Sequence, residues 1–490
     1  MSPVGTGGPL VVVGDALLDR DVDGQVRRLS PDAPAPVLED MTPSCRPGGA
    51  ALAARLAAAD GVPVVLVAPL GDDEASEIVV ALLEPHVTVV RLPLAGTLPE
   101  KTRFRTGGRT LLRADRGDGR PGPGGAGSAG LVTGAAADAI AAAGAILVSD
   151  YGRGVTADPQ LRSLLERQAG RVPLVWDPHP KGAPPVPRTR LVTPNLAEAL
   201  SAAGLAHRAD VLPLAAAAAR ELGPRWSADA VAVTLGERGA ILVQGGTGPL
   251  VVPAPPVAAT DPCGAGDRFA AAAATALQRG ALASEAVTSA VVSASAYLEA
   301  GGVSRYGRVD GDPARAPAPA SGSGSASGSA LAPVPVHAGE DAVSLARRVR
   351  AAGGAVVATG GCFDLLHAGH VSLLQAARSL GDCLIVCLNS DDSVRRLKGD
   401  GRPLNHAADR AAVLAALGCV DAIAVFGEDT PCEVLDQLRP NVWVKGGDYD
   451  GRELPEAARL ETWGGVAVTV PYLSGRSTTR LAALGAAGHP

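Results

Sequence analysis

Residues 360–370 read GGCFDLLHAGH, and the runs on either side of this stretch decide how the C-terminal part of the chain folds. The AVVAT run before it is a short apolar strand, and VSLLQAARSLGD after it has helical spacing and ends near Gly381. His367 and His370 therefore stand on a strand-to-helix turn, with Phe363 and Asp364 just before them. Backbone N–H groups and the positive end of a helix dipole make such a turn a site for anions. Two imidazoles add donors that can stabilise charge developing on phosphate oxygens. The stretch points to phosphate chemistry rather than to a metal centre.

Working outward, LIVCLNSDDSVRRLKGDGRPLN, VKGGDYDGRELP and LSGRSTTR follow in the same α/β pattern. Asn389 and Asp391 close a strand, and Cys383 and Cys387 lie within it, where packing is the expected role. Upstream, from Val309 to about His337, the text becomes a Pro/Ala segment joined to a Gly/Ser repeat. Such a composition does not bury enough apolar surface to fold, so a linker is expected at 309–341, between domains at 1–308 and 342–490. About 30 residues of flexible chain span roughly 30 Å.

The 490 residues carry 47% hydrophobic side chains, enough for buried cores in more than one domain. Aromatics are 3%, leaving little material for stacking single-stranded nucleic acid, and the net charge of −6 opposes general attraction to nucleic acid or anionic membranes. Small molecules are the expected partners. The N-terminal MSPVGTGGPL lacks a basic segment before an apolar one, and no apolar run reaches a membrane span, so a cytoplasmic location is expected. Seven cysteines do not make a disulfide framework in a chain this long. A homo-oligomer is compatible with this composition, and the sequence leaves the oligomeric state open.

Before the linker, LVVVG, VPVVLVA, AILVSD, VPLVWD and AVAVTLG alternate with Ala-rich helical stretches, which implies an α/β sheet with ligands at the carboxyl ends of its strands. In ATDPCGAGDRFAAAAATALQRG, the small residues Gly264, Ala265 and Gly266 let backbone approach a phosphate at a helix start. Asp267 is then placed to take a proton from a sugar hydroxyl. Asn195 and Glu198 in TPNLAEA are three apart, a spacing that puts amide and carboxylate on one helix face, where they can hold waters of a magnesium ion. In EKTRFRTGG, Lys101, Arg103 and Arg105 alternate, so they share one face of a strand. With Arg113 they form a candidate clamp for a sugar that already carries a phosphate.

Residues 9–306 resemble the ribokinase-like carbohydrate kinases, through Gly14-Asp15 and Asp19, Gly48-Gly49, the N-x-x-E pair, TLGERG and GAGD. The resemblance implies that Asp15, Asp19, Gly48 and Gly49 bind sugar, that Gly239 lies on the nucleotide side, and that Asp267 is the base. Two positions depart from the family pattern: Pro262 stands where a threonine is usual, and Leu52 where an asparagine contacts sugar. The C-terminal part resembles the cytidylyltransferase-like nucleotidyltransferases, through His367 and His370. There Lys398 would neutralise phosphates, Lys445, Gly446 and Asp448 would shape the nucleotide pocket, and Ser477, Thr478 and Thr479 would donate hydroxyls near the triphosphate.

The order of the two modules is similar to that of the bifunctional heptose 7-phosphate kinase and heptose 1-phosphate adenylyltransferase family. That resemblance implies ATP and Mg2+, phosphorylation of D-glycero-β-D-manno-heptose 7-phosphate at C1, and adenylyl transfer to heptose 1-phosphate giving ADP-heptose. It also implies a separate C7 phosphatase between the steps. Leu52 and Pro262 leave open another sugar, and the pocket leaves open another nucleotide. A non-catalytic sugar-phosphate sensor is the alternative from a different class.

Overall fold

The computed structural model describes residues 7–122, 130–208, 210–258, 261–306, 308–309, 341–447 and 454–471. Asp448, Ser477, Thr478, Thr479 and nearly all of the expected linker lie outside these residues. Two compact units are present. One comprises Met1–Ala202, Leu222–Thr234 and Ala254–Ser327, the other Ala203–Glu221, Leu235–Pro253 and Gly328–Pro490.

In the first unit the apolar runs form a parallel sheet. Its order is Thr88–Leu92, Val64–Pro69, Leu10–Gly14, Ala145–Ser149, Leu174–Asp177, Leu191–Val192 and Ala230–Thr234. Val11, Val13, Ile146, Val148, Leu174 and Trp176 lose all contact with water against Ile140, Leu161 and Leu165 of the covering helices. Each such side chain contributes about 1.5–3 kcal/mol of transfer free energy. The strand that comes first in the chain lies inside the sheet, so connections diverge from its carboxyl end. Asp15 follows directly.

A second sheet, not expected from the sequence, is built of Arg308–Val309, Pro36–Gly49, Ala16–Leu29, Glu100–Thr106 and Arg109–Arg116. Two of its strands run for fourteen residues. Their text is rich in charge and proline and lacks a sustained apolar alternation. The parallel register sets Asp19 beside Lys101, Asp21 beside Arg103 and Asp23 beside Arg105. Opposite charge across the ladder, on a face where Asp19 and Asp21 are buried, specifies that pairing.

In the second unit five parallel strands take the order Ala422–Phe426, Cys383–Asn389, Val356–Gly361, Val442–Gly446 and Val466–Val470. The first strand in the chain is central, and the order reverses there, which opens a crevice at its carboxyl end. GGCFDLLHAGH begins at that end. Cys383 and Cys387 are buried in the core with Trp443, as packing residues. Burial pushes both thiols up to about 12, which keeps them protonated.

Candidate active sites

Asp267 lies in the first turn of the Ala265–Gln278 helix and is 7% exposed. The residue before that helix, Gly264, has φ of 78°. A side chain there would also bring Cβ to 2.5 Å from the Tyr297 hydroxyl, so both conformation and space demand glycine. Arg268 ties the same turn down, donating to both carboxylate oxygens of Asp60 at 2.9 and 2.7 Å and to the Leu56 carbonyl. The Tyr151 hydroxyl donates to the two oxygens of Asp267 at 2.8 and 3.0 Å. Burial raises the Asp267 pKa to about 7, and the phenol works in the opposite direction. A carboxylate poised there can accept a proton near neutral pH and still be ionised beforehand.

Asp15 is also buried, and one of its oxygens accepts the backbone N–H groups of Tyr151 and Arg153 at 3.1 and 3.0 Å. Its other oxygen, Oδ1, is buried without a hydrogen-bond partner among the described residues, as expected of a group that receives a ligand hydroxyl. Burial raises its pKa, against the pull of those N–H groups. Gly48 passes so close to Asp19 that a Cβ would lie 2.8 Å from a carboxylate oxygen, and Gly49 has φ of 60°.

The basic strand is not the free clamp its alternation suggested. Arg103 donates to Asp19 at 3.0 Å, and Arg105 lies 3.8 Å from Asp21 and 3.9 Å from Asp23. A further cation, the buried Arg46, bonds Asp21 and lies 3.9 Å from Asp19. Arg113 stands opposite Arg103 but is exposed and pairs with Asp115 at 2.9 Å. Asp19 is accordingly engaged by arginines. Lys101 stands over the Tyr151 ring, 5.5 Å from its centre.

The Asn195 and Glu198 reading also changes. Asn195 precedes the Leu196–Ala203 helix, and each side chain accepts the other's backbone N–H, at 2.9 and 3.0 Å, in a reciprocal cap. That uses one oxygen of each and leaves Glu198 the better placed to meet a metal-borne water. Among the described residues no group of three or more His, Cys, Asp and Glu side chains is arranged to hold a metal. Asp177, missed in the sequence, is accepted into the same region. Burial raises its pKa well above the usual carboxylate range, and the charges of Asp267 and Glu198 add to that. Gly239, with φ of 88°, closes a short turn at Gly236–Arg238. Leu52 is buried, and its side chain packs against Gly264.

In the second unit His367 precedes the Ala368–Arg378 helix and His370 falls in its first turn. The two rings stack at 3.9 Å, and Phe363 lies 5.2 Å from His370. Phe363 is buried with φ of 45°, a strained conformation for a bulky residue that the surrounding packing holds in place. Burial, then His367 and Lys398, pull the His370 pKa down to about 4, so it is a neutral donor at neutral pH. Lys398 ends the Asp391–Lys398 helix. Lys445 pairs with Glu456 at 3.2 Å and lies over Trp443, and Gly446 ends its strand.

Asp364 does not present its carboxylate to a nucleotide. It accepts Arg402 at 2.7 Å and the Leu404 and Asn405 N–H groups at 2.7 and 3.1 Å, and so holds the GRPLN loop. Burial raises its pKa, but these donors together outweigh it and the net shift is downward. Arg410, also missed, is buried. It donates to the carbonyls of Cys362, Asn389 and Asn405 and to Asp391, locking the histidine turn to the neighbouring strand. Asn389 and Asp391 serve this scaffold, Asn389 donating to Ser393 and Asp391 also facing His406.

Comparison with known proteins identifies both parts of the chain. Residues 135–306 match the pfkB family carbohydrate kinase model, and residues 358–477 match the cytidylyltransferase-like model. The bifunctional protein HldE of Streptomyces coelicolor is 54% identical over 481 residues, which cover 98% of this chain and 97% of that protein. HldE of Azorhizobium caulinodans is 38% identical, over 97% of this chain and 98% of that one. The chain belongs to the bifunctional HldE family. It is an enzyme that joins a carbohydrate kinase to a nucleotidyltransferase, with heptose phosphorylation and adenylyl transfer as its two reactions. Among solved structures, Arabidopsis thaliana ribokinase complexed with ribose and ATP aligns at a TM-score of 0.45 and 21% identity, covering 61% of this chain and 93% of that one. No helix among the described residues is long and apolar enough to cross a membrane.

Proposed function

We propose that the kinase site phosphorylates D-glycero-β-D-manno-heptose 7-phosphate at C1, with Asp267 taking the proton of the anomeric hydroxyl. The observation that carries this reading is a buried carboxylate in the first turn of a helix that opens on a left-handed glycine, with burial raising its pKa. Asp15 receives sugar hydroxyls, and the backbone from Gly264 to Gly266 receives the charge of the transferring phosphoryl group. Glu198, with Asn195 beside it, would hold the waters of a magnesium ion, which would supply charge neutralisation at the ATP phosphates. In the transferase site, His367, His370 and Lys398 stabilise the charge that develops when the sugar 1-phosphate attacks the α-phosphorus of ATP, releasing pyrophosphate. Lys445 and Gly446 contribute to that pocket, and the same role is proposed from the sequence for Asp448, Ser477, Thr478 and Thr479, which lie outside the described residues. The domain limits 1–308 and 342–490, a cytoplasmic location and a separate C7 phosphatase belong to the same reading.

Mass spectrometry of products from heptose 7-phosphate and heptose 1-phosphate, each with ATP, tests it. Asp267→Asn should abolish phosphorylation and leave nucleotidyl transfer near normal, and His370→Ala should do the reverse. Loss of both activities from one substitution in a folded protein would refute two separate sites.

A further inference from the structure

Tyr151 touches the proposed base with its side chain and the proposed sugar acceptor with its main chain. Its hydroxyl donates to both oxygens of Asp267, while its backbone N–H donates to Asp15. The turn is braced on the other side by Asp150, whose two oxygens accept the Gly152 N–H and the Thr156 hydroxyl, each at 2.7 Å. Lys101 covers the ring. Burial and the neighbouring Asp267 charge hold the phenol protonated, so it remains a donor.

We propose that Tyr151 is a positioning residue of the kinase reaction, fixing the Asp267 carboxylate relative to the sugar held by Asp15. This rests on Asp267 being the base. A carboxylate on a helix can rotate about two side-chain bonds, and a phenol bridging both oxygens selects one orientation. Because the same residue's main chain is bonded to Asp15, the spacing between acceptor and base is set by one short segment rather than by two elements separately. Orientation of this kind lowers the barrier without a chemical role for the phenol itself.

The phenol also favours the ionised base. The other ionisable groups that face Asp267 are Asp19 from the long Ala16–Leu29 strand, Lys101 from Glu100–Thr106, Asp177 at the end of Leu174–Asp177, and Tyr297 from the Ala283–Glu299 helix. Asp19 opposes ionisation, Lys101 supports it, and Tyr151 is the side chain bonded directly to the carboxylate. Removing its hydroxyl therefore raises the pKa of the base, and the acid limb of the kinase rate profile moves to higher pH.

The test is Tyr151→Phe in the full chain, which keeps the ring beneath Lys101, with phosphorylation of heptose 7-phosphate followed from pH 5.5 to 9. The expected result is a fall in kcat of about tenfold at pH 7, a shift of the acid limb upward by about one unit, and little change in KM for ATP. Nucleotidyl transfer by the same preparation should be unchanged. A fall in kcat of the same size at every pH, with no movement of the acid limb, would show a merely structural role and overturn the proposal, as would a wild-type profile. Asp267→Asn run alongside separates the two levels: activity retained there removes the base assignment itself, whereas an inactive Asp267→Asn beside an unshifted Tyr151→Phe removes only the role of Tyr151.

Discussion

At the scale of single residues, Asp267 shows a conflict between stability and chemistry. Its folded pKa of about 7 lies well above the unfolded value of about 3.9, so the folded chain binds that proton more tightly than the unfolded one. Below about pH 4 both states are protonated and nothing is lost. As pH rises from there the unfolded chain ionises while the folded chain keeps its proton, so stability falls until the buried group itself ionises near pH 7. Asp267→Asn removes this cost while removing the base. The variant should melt at a higher temperature than the parent at pH 8, with a clearly smaller gain at pH 5, and should phosphorylate sugar about a thousandfold more slowly. Calorimetry of the kinase transition at the two pH values checks the first part. An equal gain at both would mean that packing, rather than ionisation, limits stability at this position.

At the scale of elements, the two histidines depend on a loop far along the chain. Asp364 gathers Arg402, Leu404 and Asn405, and Arg410 closes the arrangement from beneath. Hydrogen bonds to a charged group contribute about 1.5–3 kcal/mol each, so Asp364→Ala frees the GRPLN loop and leaves two N–H groups without their acceptor. Nucleotidyl transfer should drop at least tenfold and protease cutting between Gly399 and His406 should accelerate, both measurable without any change in sugar phosphorylation. Intact activity would place the loop outside the working site. The sequence announced the elements whose pattern is local: apolar strands, the GAGD helix start and the H-x-G-H turn can each be read from a dozen residues. It did not announce Arg410 or Tyr151, whose partners lie tens to more than a hundred positions away, nor the second sheet. There, the acids of DRDVD match the cations of KTRFR across about eighty residues, and neither stripe shows alone that it is answered by the other. Asp364 and the Asn195–Glu198 pair were visible as functional residue types, but their geometry is that of loop and helix capping.

At the scale of the whole molecule, the two sites leave a chemical gap. The proposed kinase product carries phosphates at C1 and C7, whereas adenylyl transfer in this reading uses a sugar phosphorylated only at C1. Removing the C7 phosphate requires an activated water or a nucleophile that forms a phosphoenzyme. The buried cysteines of the second unit, with pKa values near 12, are not thiolates at working pH. In the proposed reading, having both activities in one chain raises their local concentration and leaves removal of the C7 phosphate to a separate enzyme. Purified protein given heptose 7-phosphate and ATP should accumulate the 1,7-bisphosphate and form little nucleotide sugar. Adding a phosphatase specific for C7 should release the block, and the Asp267→Asn chain should then make nucleotide sugar only from supplied heptose 1-phosphate. Abundant nucleotide sugar without the phosphatase, in a preparation free of contaminating activity, would mean that the transferase accepts the bisphosphate, and the substrate of the second site would have to be reassigned.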